Sequence, residues 1–409
     1  MPEELTITDA IQQFRDAVIG NPALQQRLGA IEIPDLFEAE MAAAAAELGI
    51  ALDPLAITGD VLVPDPLGLS RFRPAPVELD RWPQIGWLPV RSVATGGALA
   101  FDWAWFGDRQ LSEPFYEDTV RRMATRPLSL AFRTRTGLDA LIAGAAAEDA
   151  LPPDGFIFHM SRCGSTLAAQ MLAAVPDHVV VSEPEPLDAV IQWVTMSGAP
   201  FDLQVTALRA IVAALGRNRT GALRRYFLKL DAWHILSLPL FRAAFPDTPW
   251  VFLYRDPEEV MVSHLRMPGL HFAGGGMMAL GLDANPGANA SIEEHGARVL
   301  AQTLRAAAQY HPLGGGLLVE YRDLPEALDT TIPAHFGFSP DAREQVAFAA
   351  AKSRDAKEPD RVFSPDSQRK RADVTPIVAD VVARHLQAPY AQLEILRAEA
   401  DRRLKPDDF

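Results

Sequence analysis

A chain of 409 residues with 48% apolar residues can bury a large core, and its 22% charged residues exclude wholesale disorder. The net charge of −15 excludes nucleic acid as the main partner, so any anionic ligand must be held by local cations. One cysteine, Cys163, leaves no intrachain disulfide and no cysteine-rich zinc site, and it points to a reducing cytoplasm.

The first ten residues, MPEELTITDA, lack a basic start and an apolar stretch, so no signal peptide is expected. Residues 1–60 read as a small helical module. Ile11, Phe14, Val18 and Ile19 share one helix face, and Gly20-Asn21-Pro22 ends that helix and starts the next, with Asn21 as N-cap. A third helix follows Ile33, passes Phe37 and Met41, and stops at Gly49. The alanine-rich runs Met41–Ala46 and Ala143–Ala147 are too short for a bilayer, so no membrane insertion is expected.

Residues 61–150 are rich in proline and tryptophan, including Trp82, Trp87, Trp103 and Trp105. That content predicts an irregular segment packed on another domain, since exposed linkers rarely carry so many aromatics.

Residues 151–409 alternate strands and helices. Strands are expected at Phe156–Met160, Val179–Ser182, Tyr226–Leu230, Trp250–Tyr254 and Leu317–Tyr321. Helices are expected at Thr166–Ala174, Phe201–Leu215, Glu258–Leu265 and Ile292–Tyr310, the last with a Ser291/Glu294 capping box. Such alternation implies an α/β fold, a mostly parallel sheet with helices on both faces, binding ligands at the strands' carboxyl ends.

The first of those ends carries Ser161-Arg162-Cys163-Gly164-Ser165-Thr166 before a helix. A tight turn there aims backbone N–H groups and a helix N-terminus at one point, which suits a phosphate. Gly164 permits close approach, Ser165 and Thr166 add hydroxyls, and Arg162 adds a forked cation. The triphosphate pattern G-x-x-x-x-G-K-[ST] is not met: its first Gly falls at His159 and its Lys at Ser165. An ordinary strand–turn–helix remains the plain alternative.

The stretch resembles the donor loop of the sulfotransferase family, P-[KR]-S-G-[ST]-T. Ser161 stands at the Pro and Cys163 at the common Ser, while Arg162, Gly164, Ser165 and Thr166 match. A second stretch, Arg255-Asp256-Pro257 with Ser263, fits that family's R-[DN]-P-x5-S. The resemblance implies a donor, 3′-phosphoadenosine-5′-phosphosulfate, held by Arg162 through Thr166 at its 5′-phosphosulfate and by Arg255 and Ser263 at its 3′-phosphate. The stretch Ser364–Arg371 resembles the family's donor-closing loop, which would bring Arg369, Lys370 and Arg371 to the same phosphate. Glu320-Tyr321-Arg322-Asp323-Leu324 resembles a strand end of structural use.

Sulfuryl transfer needs positioning, charge stabilisation and a base, and no metal. By resemblance the base is Glu183, where several relatives carry a catalytic Glu, or Asp231, at the place of a catalytic His. His234 is a third candidate. Lys229 matches a family lysine that would neutralise the migrating group. His159 reads as a core residue, and Cys163 as a small turn residue without a paired base. The glycine-rich stretch Met267–Asn289 reads as a loop over an acceptor pocket.

Residues 5–55 resemble the nitrogen-fixation and nitrile-hydratase-like leader peptide family, through Ile11–Arg15, Asn21–Leu24, Leu28 and Phe37–Gly49. That resemblance implies peptide or protein docking through these helices, while the sulfotransferase resemblance implies a small-molecule or peptide acceptor whose identity the sequence does not carry. Two rival readings stay open, a P-loop phosphotransferase acting on a small molecule and a non-catalytic binding protein that keeps the fold.

Overall fold

The computed structural model describes residues 7–52, 72, 75–95, 97–147, 150–269, 272, 282, 290–354 and 367–404. Most of the stretch Met267–Asn289 and residues 364–366 of the basic loop lie outside them.

The fold is α/β. In chain order the strands are β1 Val77–Leu79, β2 Trp87–Thr95, β3 Ala98–Trp105, β4 Thr134–Gly137, β5 Gly155–His159, β6 His178–Ser182, β7 Arg225–Lys229, β8 Trp250–Tyr254 and β9 Gly316–Glu320. The last five form an all-parallel sheet in the order β6-β7-β5-β8-β9, flanked by helices. Residues of β5, β6 and β8 are buried throughout, which is why they read as unbroken apolar runs. Every expected strand is present, displaced by at most one residue. The chain builds β6 and β7 on one side of β5 before crossing to β8 on the other. The switch point therefore lies at the carboxyl end of β5, where α/β sheets open a ligand crevice.

The middle segment corrects one expectation. It is not irregular: β1 to β4 form a mixed sheet in the order β1-β4-β3-β2, with β2 and β3 an antiparallel hairpin turning at Gly97, φ +85°. Its tryptophans are packed, and three of them donate their indole N–H groups. Trp82 donates to the Leu141 carbonyl at 2.9 Å, Trp103 to Thr136 Oγ1 at 2.8 Å and Trp87 to Gln25 Oε1 at 3.1 Å.

The three N-terminal helices run Ile7–Ile19, Pro22–Gly29 and Pro34–Glu47. Asn21 caps the second, its side chain accepting from Leu24 N–H at 3.1 Å. Gly49, at φ +72°, follows the third. Their apolar face is covered by the middle segment. Phe14 meets Phe132 edge-on, and Gly29 lies so close to Trp105 that an added Cβ would sit 2.1 Å from the ring.

Buried arginines tie the middle segment to the parallel sheet. Arg217 Nη1 donates to the carbonyls of Pro83 and Gln84 at 2.9 and 3.2 Å. Arg219 donates to those of Gly107 and Arg109 at 2.8 and 2.7 Å. All three segments share one continuous apolar core, from Ala10 to Leu393. Among the described residues no helix is long and apolar enough to cross a membrane.

Candidate active site

The turn after β5 is held in an uncommon backbone conformation. Ser161 and Arg162 have φ of +72° and +54°, and Gly164 has +86° before the helix Ser165–Ala173. Left-handed residues at a helix N-terminus turn successive N–H groups toward one point, an anion-binding arrangement. Positive φ is unfavourable for a side chain, so two non-glycine residues here mark a site held by its surroundings. Gly164 is required twice over. A Cβ would lie 2.5 Å from Leu324 and 3.0 Å from Tyr321, in addition to the φ penalty.

Ser165 and Thr166 open the helix and are largely buried. The Cys163 side chain, in contrast, turns into the core and its thiol donates to the Leu253 carbonyl at 3.1 Å. Burial pushes that thiol up to about 12. It is therefore no nucleophile, and it faces any anion only through its backbone.

The turn and the second motif meet. Arg162 Nε donates to Ser263 Oγ at 2.9 Å, joining the loop after β5 to the helix Pro257–Arg266 after β8. Asp256 caps that helix by accepting from Glu258 N–H at 2.9 Å. Arg255, 3% exposed, is fixed from three sides: its Nε donates to Glu259 at 2.7 Å, its Nη2 to Ser367 Oγ at 3.1 Å, and its guanidinium stacks 3.9 Å over Tyr321.

Glu259, itself buried, also accepts from Arg371 Nε at 2.9 Å. Of the three basic residues expected together, Arg371 joins this group, Lys370 is buried, and Arg369 faces solvent from the short helix Ser367–Ala372. A cavity of about 200 Å³ is bounded by Arg255, Glu259, Tyr321, Ser367 and Arg371.

The carboxyl ends of β6 and β7 supply the other side. Glu183, at φ +51°, ion-pairs with Lys229 Nζ, while its own N–H donates to the Lys229 carbonyl at 2.8 Å. Lys229 is fully buried beneath the Phe115 ring, 4.9 Å from its centre, so the middle segment contributes an aromatic wall. His159 Nδ1 accepts from Ser161 N–H at 3.0 Å, leaving its proton on Nε2, which faces Glu183 Oε1 at 3.4 Å. Burial lowers the His159 pKa and keeps the ring neutral. For Glu183 burial favours the neutral acid, but Lys229 and His159 outweigh it and hold the carboxyl well below its usual range.

Asp231 follows β7 and behaves in the opposite way. Burial, together with the charges of Glu183 and Asp188, pushes it up to about 8 against the pull of His234 and Lys229. Its N–H donates to His234 Nδ1 at 3.2 Å, and its carboxylate stands 3.8 Å from the same nitrogen. His234 Nε2 in turn donates to Asp188 Oδ1 at 2.9 Å, an oxygen that also accepts from Trp233 Nε1 at 2.8 Å. Asp188, Asp231 and His234 offer ligand atoms within 4.8 Å of one another. Both His234 nitrogens and that Asp188 oxygen are already engaged within the chain, so the trio fits a hydrogen-bonded network better than a metal site.

Sequence reasoning missed Glu259, Asp188 and Phe115, whereas His159, read as a core residue, is indeed buried and hydrogen-bonded. The EE pair after Arg255-Asp256-Pro257 was the one local hint, placing Glu259 one helical turn beyond Arg255.

No family model matches the chain, and no curated protein matches it. Solved structures similar to it include three sulfotransferases. A sulfotransferase from Mycobacterium tuberculosis H37Rv is 16% identical over 59% of this chain and 78% of that one, with a TM-score of 0.36. The sulfotransferase domain from the curacin biosynthetic pathway is 15% identical over 58% and 98%, with a TM-score of 0.37. The sulfotransferase domain from the Synechococcus PCC 7002 olefin synthase is 18% identical over 61% and 96%, with a TM-score of 0.37.

Proposed function

We propose that this protein moves a sulfuryl group from 3′-phosphoadenosine-5′-phosphosulfate to an acceptor hydroxyl or amine. The observation that carries this reading is the hydrogen bond between Arg162 and Ser263. It joins a left-handed, N–H-rich turn to a second anion-type motif across the sheet's switch point. Arg162 and the N–H groups of Cys163 to Thr166 would hold the 5′-phosphosulfate. Arg255, Ser263 and Arg371 would hold the 3′-phosphate.

Transfer forms a bond from the acceptor oxygen or nitrogen to sulfur as sulfur's bond to the bridging phosphate oxygen breaks. The leaving group is 3′,5′-adenosine bisphosphate, and Arg162 takes up the negative charge that develops on it. The acceptor's proton passes to a carboxylate. Of the two candidates Asp231 is better matched, because a base works best with a pKa near the working pH. Glu183 is the counter-ion that orients Lys229, whose ammonium neutralises the migrating group. Phe115 lies on the acceptor side, where the middle segment meets the strand ends.

The test is to supply the donor with peptides, lipids and phenolic compounds and to measure acceptor-dependent release of 3′,5′-adenosine bisphosphate with a matching product mass shift, in the presence of a chelator. Release that needs no metal supports the reading. Magnesium-dependent turnover of ATP without turnover of the donor contradicts it and favours the phosphotransferase.

A further inference from the structure

At the end of β6 opposite Glu183, a cavity of about 430 Å³ lies between that strand's first residue and the helix Ala342–Lys352. Leu111, Val175, Leu223 and Ala347 give it an apolar wall. Six ionisable residues also line it, Asp108, Asp177, Arg219, Arg343 and a facing buried pair, His178 at 2% exposure and Glu344 at 6%.

His178 Nδ1 is 3.0 Å from the Leu172 carbonyl, which can only accept, so Nδ1 carries the proton. Burial lowers the pKa of this ring and keeps it neutral. Nε2 therefore presents a lone pair, and it faces Glu344 Oε1 at 3.3 Å. Among the described residues no donor reaches Nε2. The other Glu344 oxygen is occupied, accepting from Asp341 N–H at 2.7 Å.

An unmet buried acceptor, His178 Nε2, thus confronts a carboxylate oxygen at a cavity wall, an arrangement that favours an incoming donor. The nearby cations are committed elsewhere. Arg219 serves the carbonyls of Gly107 and Arg109, Arg224 pairs with Asp177, the exposed Arg343 pairs with Asp341, and Arg225, opposite His178 in the sheet, stacks over Phe338.

We propose that this cavity binds a small ammonium compound with a compact apolar body, its N–H groups bridging His178 Nε2 and Glu344 Oε1. A hydroxyl brings one hydrogen for two acceptors, whereas an ammonium brings up to three and a charge opposite to Glu344. The volume falls within the range of small-ligand sites, roughly 300–1,000 Å³. The site is independent of the strand-end chemistry and of any role given to it.

The full chain carrying ¹⁵N-labelled histidine is titrated with cyclohexylammonium chloride, and with cyclohexanol and sodium chloride as comparisons. The expected result is a saturable shift of the His178 Nε2 signal with the amine alone, weakened about tenfold or more in Glu344→Gln through loss of a charged partner. Leu223→Trp, which fills the cavity and leaves the pair intact, should also abolish the shift, and it serves if Glu344→Gln fails to fold. An equal shift with cyclohexanol overturns the proposal. So does a signal that never saturates with the amine, which would mean that solvent bridges the pair.

Discussion

Ser263 Oγ accepts from Arg162 Nε at 2.9 Å, although 101 residues separate them in the chain. That bond sets the direction of a guanidinium whose own backbone is left-handed, and in the proposed reading Ser263 would also meet the donor's 3′-phosphate. Ser263→Ala should weaken binding of 3′,5′-adenosine bisphosphate by roughly three- to tenfold, the effect of about 1 kcal/mol for one hydrogen bond. Calorimetric titration measures it, and an unchanged affinity would remove Ser263 from the site.

The Cys163 thiol is fully buried, donates to a carbonyl and is pushed up to about 12. It should resist a soluble disulfide reagent at neutral pH and react only once the chain unfolds. Cys163→Ala should keep nucleotide binding within about twofold, at a cost of about 1 kcal/mol in stability for the small void. Rapid labelling of the native chain would contradict this placement.

Asp231 and Glu183 should give opposite pH dependences. Asp231 has a raised folded pKa, so its contribution to stability is full below the unfolded value of about 3.9 and is lost as pH rises toward 8. The Tm of Asp231→Asn relative to the parent should therefore climb between about pH 4 and pH 8. Glu183 has a depressed folded pKa, so its contribution is present above about 4.3 and is lost as pH falls below that. The deficit of Glu183→Gln should narrow on acidification. Parallel pH trends in the two variants would contradict these environments.

The N-terminal helices are built into the molecule. Phe14, Leu28, Phe37 and Met41 are fully buried, and Gln25 accepts from Trp87. Removing residues 1–52 should leave a chain that loses near-ultraviolet circular dichroism and aggregates. Gly29→Ala, which drives a methyl into Trp105, should cost about 1–3 kcal/mol by denaturant unfolding. A truncated chain that unfolds cooperatively with native-like signal would mark these helices as a separate module.

The parallel sheet was legible in the sequence because its buried strands are continuous apolar runs ending in charge, as in Phe252-Leu253-Tyr254-Arg255. The mixed sheet was not. In β3 the five residues Phe101–Trp105 are buried on both faces, which erases the period-two alternation, and Pro89 interrupts β2 at a register shift. The two anion-type motifs were legible as local patterns. What tunes them was not, because Glu259 serves Arg371 over 112 residues and Asp188 serves His234 over 46, and a single sequence does not display such pairings.

The most direct test of the central claim is calorimetric titration of 3′,5′-adenosine bisphosphate into the parent chain, Arg162→Ala and Arg255→Gln, with circular dichroism confirming that each variant is folded. The account predicts saturable binding without added metal in the parent and a loss of about tenfold or more in each variant, as expected when a charged hydrogen-bond partner is removed. No binding to the parent, or the same affinity in all three proteins, would contradict it.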